Sequence, residues 1–240
     1  MMMIEDARRQ NRFLSALSPT VWQDLKPHLE LVDLHAEQVL CQPGLALAET
    51  HFPLTGALIT VLVILRDGKA VEAVTIGREG VVSGIVSTPN HPSFARAVAQ
   101  IPGRSVRIAA SRLQETKDRS AELRDLFARY ADALLAQTLQ SVACNAVHSM
   151  PQRLARWLLS VQERIDSNEL PLTQDYLAQM LGVHRSTVIR IARSLQEDGV
   201  IRYSRGIITI LKRAKLKKAA CECNDLVNKH FERVLPVPEA

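Results

Sequence analysis

From Ser120 to Val147 the sequence runs for 28 residues without a glycine or a proline. Glycine loosens a helix through chain entropy, and proline removes a backbone donor and clashes with the preceding turn. A stretch lacking both can form one uninterrupted helix. Leu123, Phe127, Tyr130 and Leu134 recur along it at helical spacing, and Leu126 and Leu135 widen the stripe. At 1.5 Å per residue the helix is about 40 Å long, more than one small domain covers. We therefore expect it to pack against a second copy of itself, with Leu123, Phe127, Tyr130 and Leu134 as the dimer interface. The competing reading is a core helix of a single chain.

This helix divides the chain. Upstream, "NRFLSALSPTVWQDLKPH" (11–28) reads as helical, with Ser18 as N-cap and Pro19 at the first helical position. Between Leu29 and Ile108 short β-type runs alternate with turn residues: "LELVDL", "QVLCQPG", "THFPLTG", "ALITVLVILRDGKAVEAVTIG" and "ARAVAQIPGRSVRIA". Asp67-Gly68 predicts a two-residue hairpin turn, with positive φ at both positions. Strands at such spacing point to an antiparallel barrel or jelly-roll.

Downstream the pattern is helical again. Pro151 suits a helix start, and Leu154, Trp157, Leu158, Val161 and Ile165 form one stripe. Asp166–Pro171 reads as a loop. Thr173 is a good N-cap for a two-turn helix over Gln174–Leu181, which Gly182 ends. A second helix runs from His184 or Arg185 to about Glu197, anchored by Val188, Ile191, Ala192 and Leu195. Two β-type runs follow, "GVIRY" and "GIITIL", joined by Ser204-Arg205. Helix, glycine turn, helix and hairpin make a winged helix-turn-helix.

With its apolar side anchored, the second helix turns Arg185, Ser186, Ile189, Arg190 and Arg193 outward. A B-DNA major groove about 12 Å wide admits a helix, and arginine pairs bidentately with guanine there. Arg185, Ser186, Ile189 and Arg190 are the candidate base readers. Thr173, Gln174, His184, Arg193 and the wing residue Arg205 are the candidate backbone contacts. Charge agrees. Between Ser149 and Lys218 thirteen Lys and Arg face six Asp and Glu, so the rest of the chain is net −2 within a total of +5.

Residues 149–217 resemble the winged helix-turn-helix of the Crp/Fnr superfamily of bacterial transcription regulators. "MPQRLARWLL", "LTQDYLAQMLGVHRSTVIRIARSLQEDGVI" and the wing carry the likeness. It extends, less specifically, over the whole chain. The resemblance implies an α+β protein: an antiparallel β-roll like a cyclic-nucleotide-binding domain (1–117), a dimerisation helix (118–148), the winged helix-turn-helix (149–217) and a C-terminal extension (218–240). It also implies a homodimer on near-palindromic double-stranded DNA, RNA polymerase as a further partner, and guanine reading by Arg190. Ser186 stands where the family often has glutamate, so the operator does not carry over.

The resemblance places an effector pocket near Gly84, Ile85 and Arg96. Where the family has a Gly-Glu-Leu turn, this chain has Gly84-Ile85-Val86, without the ribose-binding carboxylate. Arg96 stands in Arg-Ala-Val. A buried phosphate lacking a paired cation is costly, so cyclic AMP is not expected, and the sequence names no cofactor or other effector. Cys41, Cys144, Cys221 and Cys223 offer no N-terminal iron–sulfur motif. Cys221 and Cys223 form a Cys-x-Cys pair with no second pair at zinc spacing, so no metal site is expected. Lone histidines such as His35, His51 and His91 read as structural. Two alternatives remain open: an effector-independent DNA binder, and a redox-responsive regulator acting through Cys144. No His-x-His metal pair, phosphate loop or catalytic triad motif occurs, so an enzyme is not expected. The longest apolar run, Ala57–Leu65, is strand-length, and the N-terminus lacks a signal-peptide core. The protein is expected to be cytoplasmic, without a membrane partner.

Overall fold

A computed structural model describes residues 3–83 and 91–236. Three short helices open the chain: α1 (Ile4–Gln10), α2 (Arg12–Ser15) and α3 (Pro19–Leu25), the last followed by a 3-10 turn over Lys26–His28. Ser18 caps α3 by accepting from the Val21 N–H, as expected of a serine before an N1 proline. The stretch 11–28 is thus helical but broken.

Among the described residues seven strands follow: β1 (Glu30–Leu34), β2 (Val39–Cys41), β3 (Glu49–Pro53), β4 (Leu58–Ile64), β5 (Ala70–Ile76), β6 (Arg96–Ile101) and β7 (Gly103–Ala109). They pair antiparallel as two sheets, β1-β7-β3 and β2-β6-β4-β5. Leu34, Ala57, Ile59, Ile76, Val82, Ala97 and Ala99 form a core of this β-roll. At the β4–β5 hairpin, Leu65 donates to the Lys69 carbonyl and accepts from the Gly68 N–H, and Gly68 alone has positive φ (+83°). The connection is a three-residue loop, Arg66-Asp67-Gly68, rather than the two-residue turn expected. A single glycine suffices to close it.

Helix α4 (Ala110–Arg119), not foreseen from the sequence, leads into α5 (Ala121–Val147), which Ser120 caps. Then come α6 (Met150–Ile165), β8 (Glu169–Pro171), α7 (Gln174–Leu181), α8 (Arg185–Glu197), β9 (Ile201–Ser204), β10 (Ile207–Ile210), α9 (Arg213–Ala219) and α10 (Cys223–Val234). Strand β8 lies inside the expected loop 166–171. It pairs with β10 to make the wing three-stranded, in the order β8-β10-β9. The protein is α+β: an antiparallel β-roll, a long helix and a C-terminal winged helix-turn-helix.

The expected dimer stripe is corrected. Leu123, Phe127 and Tyr130 are buried inside the protomer, with Phe13, Phe52, Val106 and, from α10, Val227 and Phe231. Phe13 lies 4.7 Å from the Phe127 ring and 5.6 Å from the Tyr130 ring, centroid to centroid. Leu134 is half-buried between this core and that of the roll. The first half of α5 is thus a core helix, because α1–α3 and α10 wrap it. The sequence read α10 as part of an extension and gave no sign of that packing. Farther along α5, Leu135, Leu139 and Val142 share one face and are 57%, 61% and 65% exposed.

The C-terminal half is seated on the roll. Thr60 and Tyr176 hydroxyls are 2.7 Å apart, Trp157 Nε1 donates to Glu72 at 3.4 Å, and Leu58 and Ile101 join the core of α6–α8. No helix among the described residues is long and apolar enough to cross a membrane.

Candidate nucleic-acid interface

Local chemistry fixes the two helices. Thr173 accepts from the Tyr176 N–H at 3.1 Å and starts α7. At its end Gly182 is left-handed (φ +66°) and donates to Gln179, while Val183 donates to the Ala178 carbonyl at 3.0 Å. That reciprocal pattern ends α7 and needs a residue without Cβ at the turn. Helix α8 then buries Val188, Ile191, Ala192 and Leu195 against α6, α7 and the wing. His184 is its N-cap residue but contributes no side-chain cap bond.

The opposite side of α8 is open. Arg185, Ser186, Ile189, Arg190 and Arg193 are exposed, Ile189 by 41%. An isoleucine left in water suits apolar contact with a thymine methyl, and the guanidinium groups beside it suit hydrogen bonding to guanine. Arg185 Nη1 reaches Asp175 Oδ2 at 3.2 Å, but both side chains are more than half exposed. Such a pair contributes at most about 1 kcal/mol and is readily exchanged.

The wing turn is Arg205-Gly206, one residue later than the Ser204-Arg205 expected. Ser204 pairs with Ile207 across it, and φ is +49° and +80° at the two turn positions. Positive φ at both marks a turn whose twist matches its strands. Arg205 is thereby held at the wing tip. The Cβ position of Gly206 lies 3.8 Å from Thr173 Cγ2, so the tip adjoins the start of α7, where Gln174 is half-buried. The nine candidates therefore occupy α7, α8 and the wing of one unit. Part of the basic surplus lies elsewhere: Arg164 pairs with Glu79, Arg213 with Glu163 and Lys217 with Asp225.

In the roll, a cavity of about 360 Å³ lies against α5, lined by Val61, Val74, Ile76, Ala97, Leu134 and Thr138 among others. Gly84 and Ile85 lie outside the described residues. Arg96 is corrected: strand alternation turns Ala95 and Ala97 to the cavity, and Arg96 instead donates to Gln42 at 2.8 Å. Among the described residues the lining carries no charged group.

The cysteines are placed differently from the sequence reading. Cys144 on α5, His148 at its end, and Cys221 and Cys223 before and in α10 meet with all their ligand atoms within 4.8 Å of one another. Sequence spacing hid this, since 72 residues separate His148 from Cys221. The available signal was Cys144 and His148 one helical turn apart. Burial pushes the Cys144 thiol up to about 12 and raises that of Cys223, so neither is a ready thiolate.

Residues 152–219 match the Crp-like helix-turn-helix domain family. No curated protein sequence matches the chain. Among solved structures, it is similar to a Crp/Fnr-family transcriptional regulator of Thermus thermophilus, with 24% identity, TM-score 0.65, and 80% of this chain and 98% of that one covered. FixK2 of Bradyrhizobium japonicum is 18% identical, with TM-score 0.62 and coverage of 80% and 98%. A putative crp/fnr-family regulator of Eubacterium rectale is 19% identical, with TM-score 0.60 and coverage of 85% and 94%.

Proposed function

We propose that this chain, which carries a Crp-like helix-turn-helix domain on the fold of the Crp/Fnr-type transcription regulators, is a sequence-specific DNA-binding regulator that works as a homodimer. One observation carries the reading: α8 is anchored by Val188, Ile191 and Leu195 and turns Arg185, Ser186, Ile189, Arg190 and Arg193 to solvent. Arg185, Ser186, Ile189 and Arg190 read bases from the N-terminal turns of α8. Thr173, Gln174, His184, Arg193 and Arg205 hold phosphates and set the register.

The dimer forms on the exposed face Leu135, Leu139 and Val142 of α5. Two copies of α8 then enter successive major grooves about 34 Å apart, which calls for a near-palindromic operator. The apolar cavity of the roll abuts the same helix, so a ligand there shifts the equilibrium between two arrangements of the DNA-binding halves. Its uncharged described lining suits an apolar effector over a cyclic nucleotide. RNA polymerase is the expected further partner, and the cytoplasm the expected location.

Selection from random duplexes, followed by titration of the selected and a scrambled duplex at several salt concentrations, tests the reading. A regulator prefers a near-palindrome and keeps that preference as salt rises, while its non-specific binding falls steeply. Equal affinity for both duplexes would leave a purely architectural binder.

A further inference from the structure

We infer that Cys144, His148, Cys221 and Cys223 form a tetrahedral site for one thiophilic divalent ion of the zinc type. Four ligand atoms of the required kinds converge from two segments far apart in sequence. Cys144 Sγ and Cys221 Sγ are 3.6 Å apart, and Cys223 Sγ is 3.5 Å from His148 Nδ1. A zinc–sulfur bond of about 2.3 Å puts two tetrahedral sulfurs about 3.8 Å apart, close to the separation found here. A disulfide needs about 2.05 Å. A cluster of several irons would hold its four ligands farther apart than 4.8 Å.

The surroundings fit the ion as well as the ligands do. The three sulfurs are buried, with Cys144 and Cys223 fully enclosed. His148 turns Nδ1 to the sulfurs and Nε2 to Glu222 Oε2 at 3.5 Å. A carboxylate behind a ligating imidazole fixes its tautomer and strengthens it as a donor. Gln140 Nε2 donates to Cys223 Sγ at 3.1 Å, and an N–H donor to a ligating sulfur offsets its charge. Each thiol gives its proton to solvent as the ion binds. Three thiolates, one neutral imidazole and a divalent cation leave one net negative charge, and Arg153 and Arg156 lie close enough to act on Cys144.

The site joins the end of α5 to the start of α10 and the short segment before it. The ion would clip the C-terminal extension to the hinge where the long helix passes into α6. This inference rests on the side-chain cluster alone and is independent of what α8 binds.

Elemental analysis of the full-length protein, purified under reducing conditions without chelator, should find one zinc per chain. Zinc-stripped protein titrated with cobalt(II) should develop sulfur-to-cobalt charge-transfer absorption and tetrahedral d–d bands, saturating at one equivalent. Cys221→Ser and Cys223→Ser should each weaken those bands severalfold, whereas Cys41→Ser, altering the one cysteine outside the cluster, should leave them unchanged. The wild-type spectrum decides the matter even if a variant fails to fold. Absence of both the zinc and the cobalt bands would overturn the inference. So would a Cys144–Cys221 disulfide in the reduced protein, or iron accompanied by acid-labile sulfide.

Discussion

Arg164 Nε donates to Glu79 Oε1 at 2.7 Å, with side chains only 8% and 16% exposed, and so ties α6 to the turn after β5. Gln137 of α5 and Ser160 take further guanidinium protons, and the Gly77 N–H donates to the same carboxylate at 3.1 Å. Removing one partner of a buried pair leaves an uncompensated charge, at a cost of about 3–5 kcal/mol. Glu79→Gln should therefore destabilise the protein by roughly 3 kcal/mol in chemical denaturation. Arg164→Met combined with Glu79→Gln should recover most of that loss. A double variant no better than the single one would show that the pair contributes by shape alone.

Gly80 is packed against the hydroxyl end of Tyr130, which is fully buried. A Cβ there would overlap the ring, and the aromatic neighbours Phe13 and Phe231 leave the ring no room to retreat. Gly80→Ala should cost about 1–3 kcal/mol of stability, as overpacked cores do. Gly80→Ala with Tyr130→Phe should be only partly milder, because it removes the nearest clashing atom, the hydroxyl oxygen, and leaves the overlapping ring carbons in place. Thermal melts of the three variants measure both effects.

The parts of the fold legible in the sequence are those set by local chemistry. Ser18 and Thr173 cap their helices, Gly182 ends α7, and the burial of Val188, Ile191 and Leu195 follows from their spacing. What was misread depends on distant partners. The stripe Leu123–Phe127–Tyr130 has the same period whether it meets a second copy or α1–α3 and α10, and only the packing of α10 decides. Likewise β8 is three residues long and becomes a strand only because β10 lies beside it. Cys144 and His148 carry a helical-turn spacing, but their company with Cys221 and Cys223 arises from the return of the chain.

On the proposed DNA-binding face, Arg190 and Arg205 differ in kind. Arg190 stands on the open face of α8, and Arg205 at a two-residue wing turn. Arg190→Ala should cost about 1–3 kcal/mol on the operator and relax discrimination at one base pair of each half-site. Arg205→Ala should weaken selected and random duplexes alike and reduce the salt slope by about 1 per wing. Competition titrations with single-base operator variants distinguish the two patterns; uniform weakening by Arg190→Ala would make it a phosphate contact.

The two faces of α5 give opposite expectations. Leu139 is 61% exposed between Leu135 and Val142, whereas Leu123 is fully buried. Leu139→Glu places a charge in the proposed dimer seam and should yield monomers in analytical ultracentrifugation, with melting near that of the native protomer. Leu123→Ala should instead lower stability by about 2–5 kcal/mol through a cavity, without itself dissociating a dimer. Leu139→Glu protein that stays dimeric would move the interface off this face.

Glu72 links stability to pH. It is half-buried, with its carboxylate enclosed where Trp157 meets the roll, and desolvation pushes its carboxyl up to about 7, outweighing the hydrogen bond from Trp157 and the charges of Arg156 and Arg164. Unfolded, the group titrates near its ordinary 4.5. Between those values the folded state binds the extra proton, so stability is fully present below about 4.5 and declines as pH rises towards 7, then levels off. Glu72→Gln keeps the shape and an acceptor for the Trp157 N–H but cannot ionise. Its melting temperature should exceed the wild type's at pH 7.5, with the gap closing as pH falls towards about 4.5, and parallel curves across that range would assign the slope to other groups.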